Sequence, residues 1–211
     1  MFITFEGIEG SGKSTQLQRV ARFLRDRGRT VVETKEPGGT EIANRIRAIL
    51  LDSKNVIDPM AEVLLFAASR RQHTVEVIRP ATERGQIVLC DRYTDSTLAY
   101  QGFGRLLNLD QLRTLNRWAT GDLDPDLTLI FDLPEEAGLS RAVRRNSAAV
   151  DDEGRFEAED LKFHRRVREG YLSLATAQPH RYAVIDANGT IDEVFERMMR
   201  VLKERLPELM K

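Results

Sequence analysis

Residues 7–14 read GIEGSGKS, and no other stretch of the chain limits its fold so sharply. The spacing G-x-x-x-x-G-K-[ST] needs a strand before it and a helix after it, because the loop must turn successive backbone N–H groups onto one cluster of phosphate oxygens. Each neighbour is legible. FITF at 2–5 is an apolar run leading into the loop, and Leu17, Val20, Ala21 and Leu24 recur beyond it at i, i+3, i+4 and i+7, a stripe that Gly28 can terminate. Gly7, Gly10 and Gly12 permit dihedrals that side chains would obstruct. Lys13 supplies a point charge for phosphates, Ser14 a hydroxyl for Mg²⁺, and the helix turns its positive end toward a nucleotide. Ile8, Glu9, Ser11 and Thr15 complete the nucleotide-binding segment. No N-K-x-D segment of the guanine-reading kind occurs, which favours ATP over GTP.

Further apolar runs at 30–34, 86–90, 127–131 and 182–185 read as strands. Helical patterns lie between them: Ile42, Ile46, Ile49 and Leu50; a helix opened by Asp58 and Pro59; Phe163, Val167, Tyr171 and Leu174; and Ile191, Val194, Phe195, Met198 and Leu202. Strict alternation predicts an α/β fold, a five-stranded parallel sheet with helices on both faces, and runs such as IVLC and LTLIF are apolar throughout, as doubly covered strands require. The 211 residues fit one domain spanning 1–211. NSAAVDDEG at 146–154 reads as a surface loop.

A formal net charge of −1 gives no whole-molecule attraction to polyanions, so nucleic acid is not an expected partner and any phosphate ligand needs a constructed site. No stretch approaches the roughly 18 apolar residues of a membrane span. The single Cys90 fits a reducing compartment, and the expectation is a soluble cytoplasmic protein without membrane partners. His73, His164 and His180 are isolated and expected as surface or helix residues, Trp118 is expected at a packing position, and Cys90 as an inert end to a buried strand.

A second set of anion-binding features lies outside the loop. EPGGTE at 36–41 closes a strand with a turn whose glycines expose N–H groups. Asp91 and Asp132 each end a strand and compete to organise Mg²⁺, and Asp91 is followed by Arg92, a planar fork for phosphate, and Tyr93. Phe66 and Arg70 stand four apart on one helical face, a ring and a set of donors able to address one base.

With FEGIEGSGKST at 5–15, EPGGTE at 36–41, LLFAASR at 64–70, DRYTDSTLAYQG at 91–102 and an arginine-rich segment after Asp132, the sequence resembles the thymidylate kinases of the nucleoside monophosphate kinase group over almost its whole length. The resemblance implies transfer of a phosphoryl group from ATP to dTMP with Mg²⁺, by a homodimer. It implies that Glu9 contacts the acceptor's sugar hydroxyl, Phe66 stacks on thymine, Arg70 bonds its edge and Arg92 holds the acceptor phosphate. Ser96, Tyr100 and Gln101 would line the sugar and base pocket beside Glu36 and Pro37. The loop carries Gly10 where some members carry a catalytic arginine, so the sequence resembles the bacterial type that supplies it from a mobile lid, here about 141–157. Arg141, Arg144 and Arg145 share one side of a helix there, with Arg141 near ATP and the catalytic role open among Arg144, Arg145 and Arg155. Two rival readings are a related kinase for another nucleoside or monophosphate, and a nucleotide-switch ATPase with no small acceptor.

Overall fold

The computed structural model describes residues 1–146 and 154–210. Its strands β1 (Phe2–Glu6), β2 (Val31–Lys35), β3 (Ile87–Asp91), β4 (Leu127–Asp132) and β5 (Tyr182–Asp186) pair in parallel in the order β2-β3-β1-β4-β5. Each expected strand is present and runs one residue past its expected end. The added residues are Glu6, Lys35, Asp91, Asp132 and Asp186. A charged side chain hides the end of a strand from a hydrophobicity pattern, and here those charges mark the carboxyl edge of the sheet, where open α/β folds bind ligands.

The helices are α1 (Lys13–Arg25), α2 (Glu41–Leu51), α3 (Pro59–His73), α4 (Arg79–Glu83), α5 (Thr94–Thr97), α6 (Leu109–Thr120), α7 (Glu135–Asn146), α8 (Leu161–Ala177) and α9 (Ile191–Arg205). α3 reaches α4 through a π-helical turn, Thr74–Ile78, and α5 continues into a second, Leu98–Gly104. Starts are set by side chains that satisfy the first free N–H groups: Asp58 accepts from Met60 and Ala61, Thr40 from Ala43, and Thr190 with Glu193 forms a reciprocal capping box.

Leu17, Val20 and Leu24 of α1 and Val194, Met198 and Leu202 of α9 cover one face of the sheet over Ile3, Phe5, Leu129 and Phe131. On the other face Ile130 packs with Leu50, Val63, Leu98, Leu112, Phe163 and Val167. One expectation fails here. Trp118 is 75% exposed, because α6 turns Leu112, Asn116 and Ala119 inward and position 118 falls on the opposite side. His73 and His164 lie on helices α3 and α8 and His180 at the surface, as expected, but the two helical histidines are not isolated: both are fully buried and each faces a glutamate of a distant loop, a long-range pairing that sequence spacing cannot display. Cys90 is buried as expected. Among the described residues no helix is long and apolar enough to cross a membrane.

Candidate active site

The phosphate loop is fixed by a close approach of two glycines. Gly10 has φ +70°, and a Cβ on it would lie 2.1 Å from the Gly138 carbonyl oxygen of α7; a Cβ on Gly138 would lie 2.6 Å from the Glu9 carbonyl oxygen. No side chain fits at position 10 while α7 stays where it is, so any arginine that reaches the phosphates must come from elsewhere. Lys13 is folded into the loop, its Nζ donating to the Ile8 carbonyl at 2.8 Å and to Ser11 Oγ at 3.3 Å. Burial, with the nearby positive charge of Arg92, pulls the Lys13 ammonium down to about 8. The Ser14 hydroxyl donates to the Asp91 carboxylate, joining the loop to the end of β3. Ile8 is buried in the core behind the loop, and Thr15 is exposed.

Arg92 follows β3 in the left-handed region at φ 71°, a conformation that costs energy for a residue with a Cβ and that surrounding contacts must hold. The contacts are dense. Its Nη2 donates to Glu9 Oε1 at 2.9 Å and Tyr100 Oη at 2.9 Å, and its Nη1 to Ser96 Oγ and Tyr171 Oη, each at 3.2 Å. Tyr100 also donates to Glu9 Oε1, at 2.5 Å. Burial alone would raise the Glu9 carboxyl, yet Arg92, His164 and Lys13 overcome it and hold Glu9 well below the usual carboxylate range. Below this layer Glu6 accepts from the Tyr93 N–H at 2.7 Å, Ser96 Oγ at 2.6 Å and Tyr171 Oη at 2.8 Å. Burial and the negative charge of Asp95 push the Glu6 carboxyl up to about 7.

Opening above these groups is a cavity of about 590 Å³ that runs from Glu9, Gly10, Lys13 and Ser14 to Phe66, Arg70 and Gln101. Phe66 is half-buried and packs against Phe156 at 6.2 Å between ring centroids. Arg70, 2% exposed, donates from Nε to Glu36 at 2.7 Å, from Nη1 to Thr97 and Asn116, and from Nη2 to the Tyr93 carbonyl. Four of its five hydrogens are thus committed to protein, leaving one on Nη2. Glu36 borders the cavity, but Arg70 occupies its Oε2 and His73 its Oε1, so it holds Arg70 in place. Pro37 lines the same wall.

The expected lid falls partly on 147–153, outside the described residues, as does the side chain of Arg145. Arg141 and Arg144 are exposed on α7. Arg155 is elsewhere: it donates to the Leu50 carbonyl and, at 2.6 Å, to the buried Glu62, which also accepts from Gln101 and Arg105. Of the two competing aspartates, Asp132 is gripped by Arg168 through two bonds at 2.7 and 3.0 Å, while Asp91 meets Ser14. Glu6, Glu62, Asn116, His164 and Tyr171 are the groups that sequence reading missed. Tyr171 sat in an apolar stripe whose hydroxyl was the only available signal.

A phosphate loop at the end of the first strand of such a sheet, with an arginine-lined cavity opening beside it, is the arrangement of a P-loop kinase. A family model described as thymidylate kinase matches residues 5–198, and the chain belongs to that family. It is 55% identical over 208 residues to the thymidylate kinase of Geobacter sulfurreducens, covering 98% of each chain. With the thymidylate kinase of Nitratidesulfovibrio vulgaris it shares 56% identity over 209 residues, 98% of this chain and 97% of the relative. The crystal structure of thymidylate kinase from Ehrlichia chaffeensis superposes with a TM-score of 0.76 at 36% identity, over 96% of this chain and 98% of that one.

Proposed function

We infer that this chain transfers the γ-phosphoryl group of ATP to the 5′-phosphate of dTMP, giving dTDP and ADP. The observation that carries the reading is the continuous cavity from Lys13 to Arg70, which gives a donor phosphate and an acceptor nucleotide adjoining places. The acceptor phosphate is already ionised at neutral pH, so alignment and neutralisation of charge do most of the work and no strong base is needed. Lys13 and an arginine of α7 would neutralise the transferring group, and Arg92, held by Glu9 and Tyr100, would fix the acceptor phosphate. Ser14 and Asp91 bring hard oxygen donors together, which suits Mg²⁺; once bound, the ion neutralises phosphate charge. Phe66 would stack on the base while Tyr100 and Gln101 line the pocket.

The remaining Nη2 hydrogen of Arg70 can meet a keto oxygen but not an amino group, so cytosine would face it donor to donor. Acceptor-dependent ADP release is therefore expected in the order dTMP, dUMP, dCMP. Loss of the methyl should cost roughly 10 to 200-fold in kcat/KM, and the amino group more. Equal ADP release without acceptor would favour the switch ATPase, and dCMP within tenfold of dTMP would remove Arg70 from base reading.

We also propose that residues 1–211 act as one domain, in the cytoplasm, as a homodimer. Ile42 and Ile49 of α2, Met60 and Leu64 of α3 and Trp118 of α6 leave apolar surface on three helices packed side by side, which favours burial against a second copy. Sedimentation velocity should return the mass of two chains; one chain's mass at micromolar concentration would refute this.

A further inference from the structure

Glu9 is held unequally. Its Oε1 takes Arg92 and Tyr100, whereas Oε2 is buried without a hydrogen bond. Facing Oε2 at 3.5 Å is Nδ1 of His164, itself buried, and neither ring nitrogen of His164 has a partner among the described residues. Two unsatisfied buried atoms of complementary character, a few tenths of an ångström beyond bonding distance, satisfy each other with a small movement, and catalytic hydrogen bonds are commonly long before substrate binds. The ring is fully buried. Phe163 packs on it edge-on at 5.5 Å, and α8 is anchored two turns on by Tyr171, whose hydroxyl joins Arg92, Ser96 and Glu6.

We propose that His164 is a positioning residue for the acceptor's sugar: its Nδ1–H holds the inner oxygen of Glu9, so that the outer oxygen, braced by Arg92 and Tyr100, is presented to the sugar hydroxyl. This rests on the reading of Glu9 as the sugar-contacting acid of a dTMP site. His164 touches no reacting atom, so its effect belongs in acceptor KM and not in kcat. With Nδ1 as the donor, asparagine, whose amide nitrogen falls near that atom, should substitute for it where leucine cannot.

The test compares kcat and KM for dTMP and for its 3′-deoxy analogue in wild type, Glu9→Gln, His164→Leu and His164→Asn. His164→Leu is expected to raise KM for dTMP roughly tenfold, the loss of one aligned bond to a charged group. KM for the analogue should stay within about twofold and kcat within about threefold, with His164→Asn recovering most of the loss. Equal effects on both acceptors, or no effect, would overturn the proposal while a Glu9→Gln variant that loses the preference upholds the reading of Glu9. Should Glu9→Gln keep the full preference for the 3′-hydroxyl, that reading falls and the proposal with it. If His164→Leu does not fold, His164→Asn against His164→Gln decides: Gln extends its amide past the Nδ1 position and should lose the preference that Asn keeps.

Discussion

Lys13→Met is expected to lower kcat by about 10² to 10³ or more without lowering the thermal unfolding midpoint at pH 7. The rate loss follows from the job assigned to the ammonium: a preorganised charge aimed at a transferring group is worth about 10² to 10³ even for a single neutral donor. The stability expectation follows from its surroundings. Lys13 is 7% exposed, and burial lowers it from 10.5 to about 8, so the folded chain holds the charged form less willingly than the unfolded chain does. For a base shifted downward the cost to folding is fully present below about 8 and is relieved as pH rises toward 10.5. Methionine carries no such cost and keeps the packing of the stem. The Ile8 carbonyl retains the Ser11 hydroxyl at 2.9 Å as a donor, so the loop is not left with an orphaned acceptor. The variant should therefore melt at or above the wild-type temperature at pH 7, with the gap closing as pH approaches 10. A kcat above about a tenth of wild type would show that the charge is not used in the transition state.

What the sequence made legible is what depends on local order. The phosphate loop, the five strands and the capped helices each follow from short-range pattern, and the alternation of strand and helix leaves few topologies for a parallel sheet. Phe66 and Arg70 were readable as a pair because four residues make one helical turn. The groups that escaped act across the fold. Glu62 gathers Gln101, Arg105 and Arg155 from two later segments, and Asn116 reaches Arg70 from 46 residues away. His73 looked isolated because its partner Glu36 is 37 residues distant. Trp118 failed for the opposite reason: tryptophan suggests burial, but its helical phase points it outward.

The arginines of the expected lid carry the second large predicted effect. α7 lies against the phosphate loop, since a Cβ on Gly10 would fall 2.1 Å from the Gly138 carbonyl oxygen and 3.1 Å from Arg141 Cβ, so the turns that follow Gly138 begin beside the loop. Arg141 and Arg144 stand there exposed. Two of the three carboxylates near the start of the helix are already occupied, Glu135 by Arg165 at 2.7 Å and by Arg168, and Asp132 by Arg168, while the exposed Glu136 faces Arg165 at 3.7 Å. Arg155, the other candidate, has its guanidinium tied to Glu62 and the Leu50 carbonyl, and turning it toward phosphates would leave Glu62 with a donor fewer in a buried place. The two kinds of arginine should therefore separate by experiment. Replacing Arg144 and Arg145 together by alanine is expected to lower the single-turnover rate of phosphoryl transfer by roughly 10³ or more, with dTMP affinity within a few-fold of wild type, since arginines on a transferring phosphoryl group contribute about 10³ to 10⁵ in related chemistry. Arg155→Ala should instead lower the unfolding midpoint and weaken acceptor binding, because it loosens the segment that holds Phe156 against Phe66 and Tyr100, and should leave the transfer step within about tenfold. An unchanged single-turnover rate in the double variant, or a larger loss of transfer in Arg155→Ala, would take the catalytic arginine away from α7.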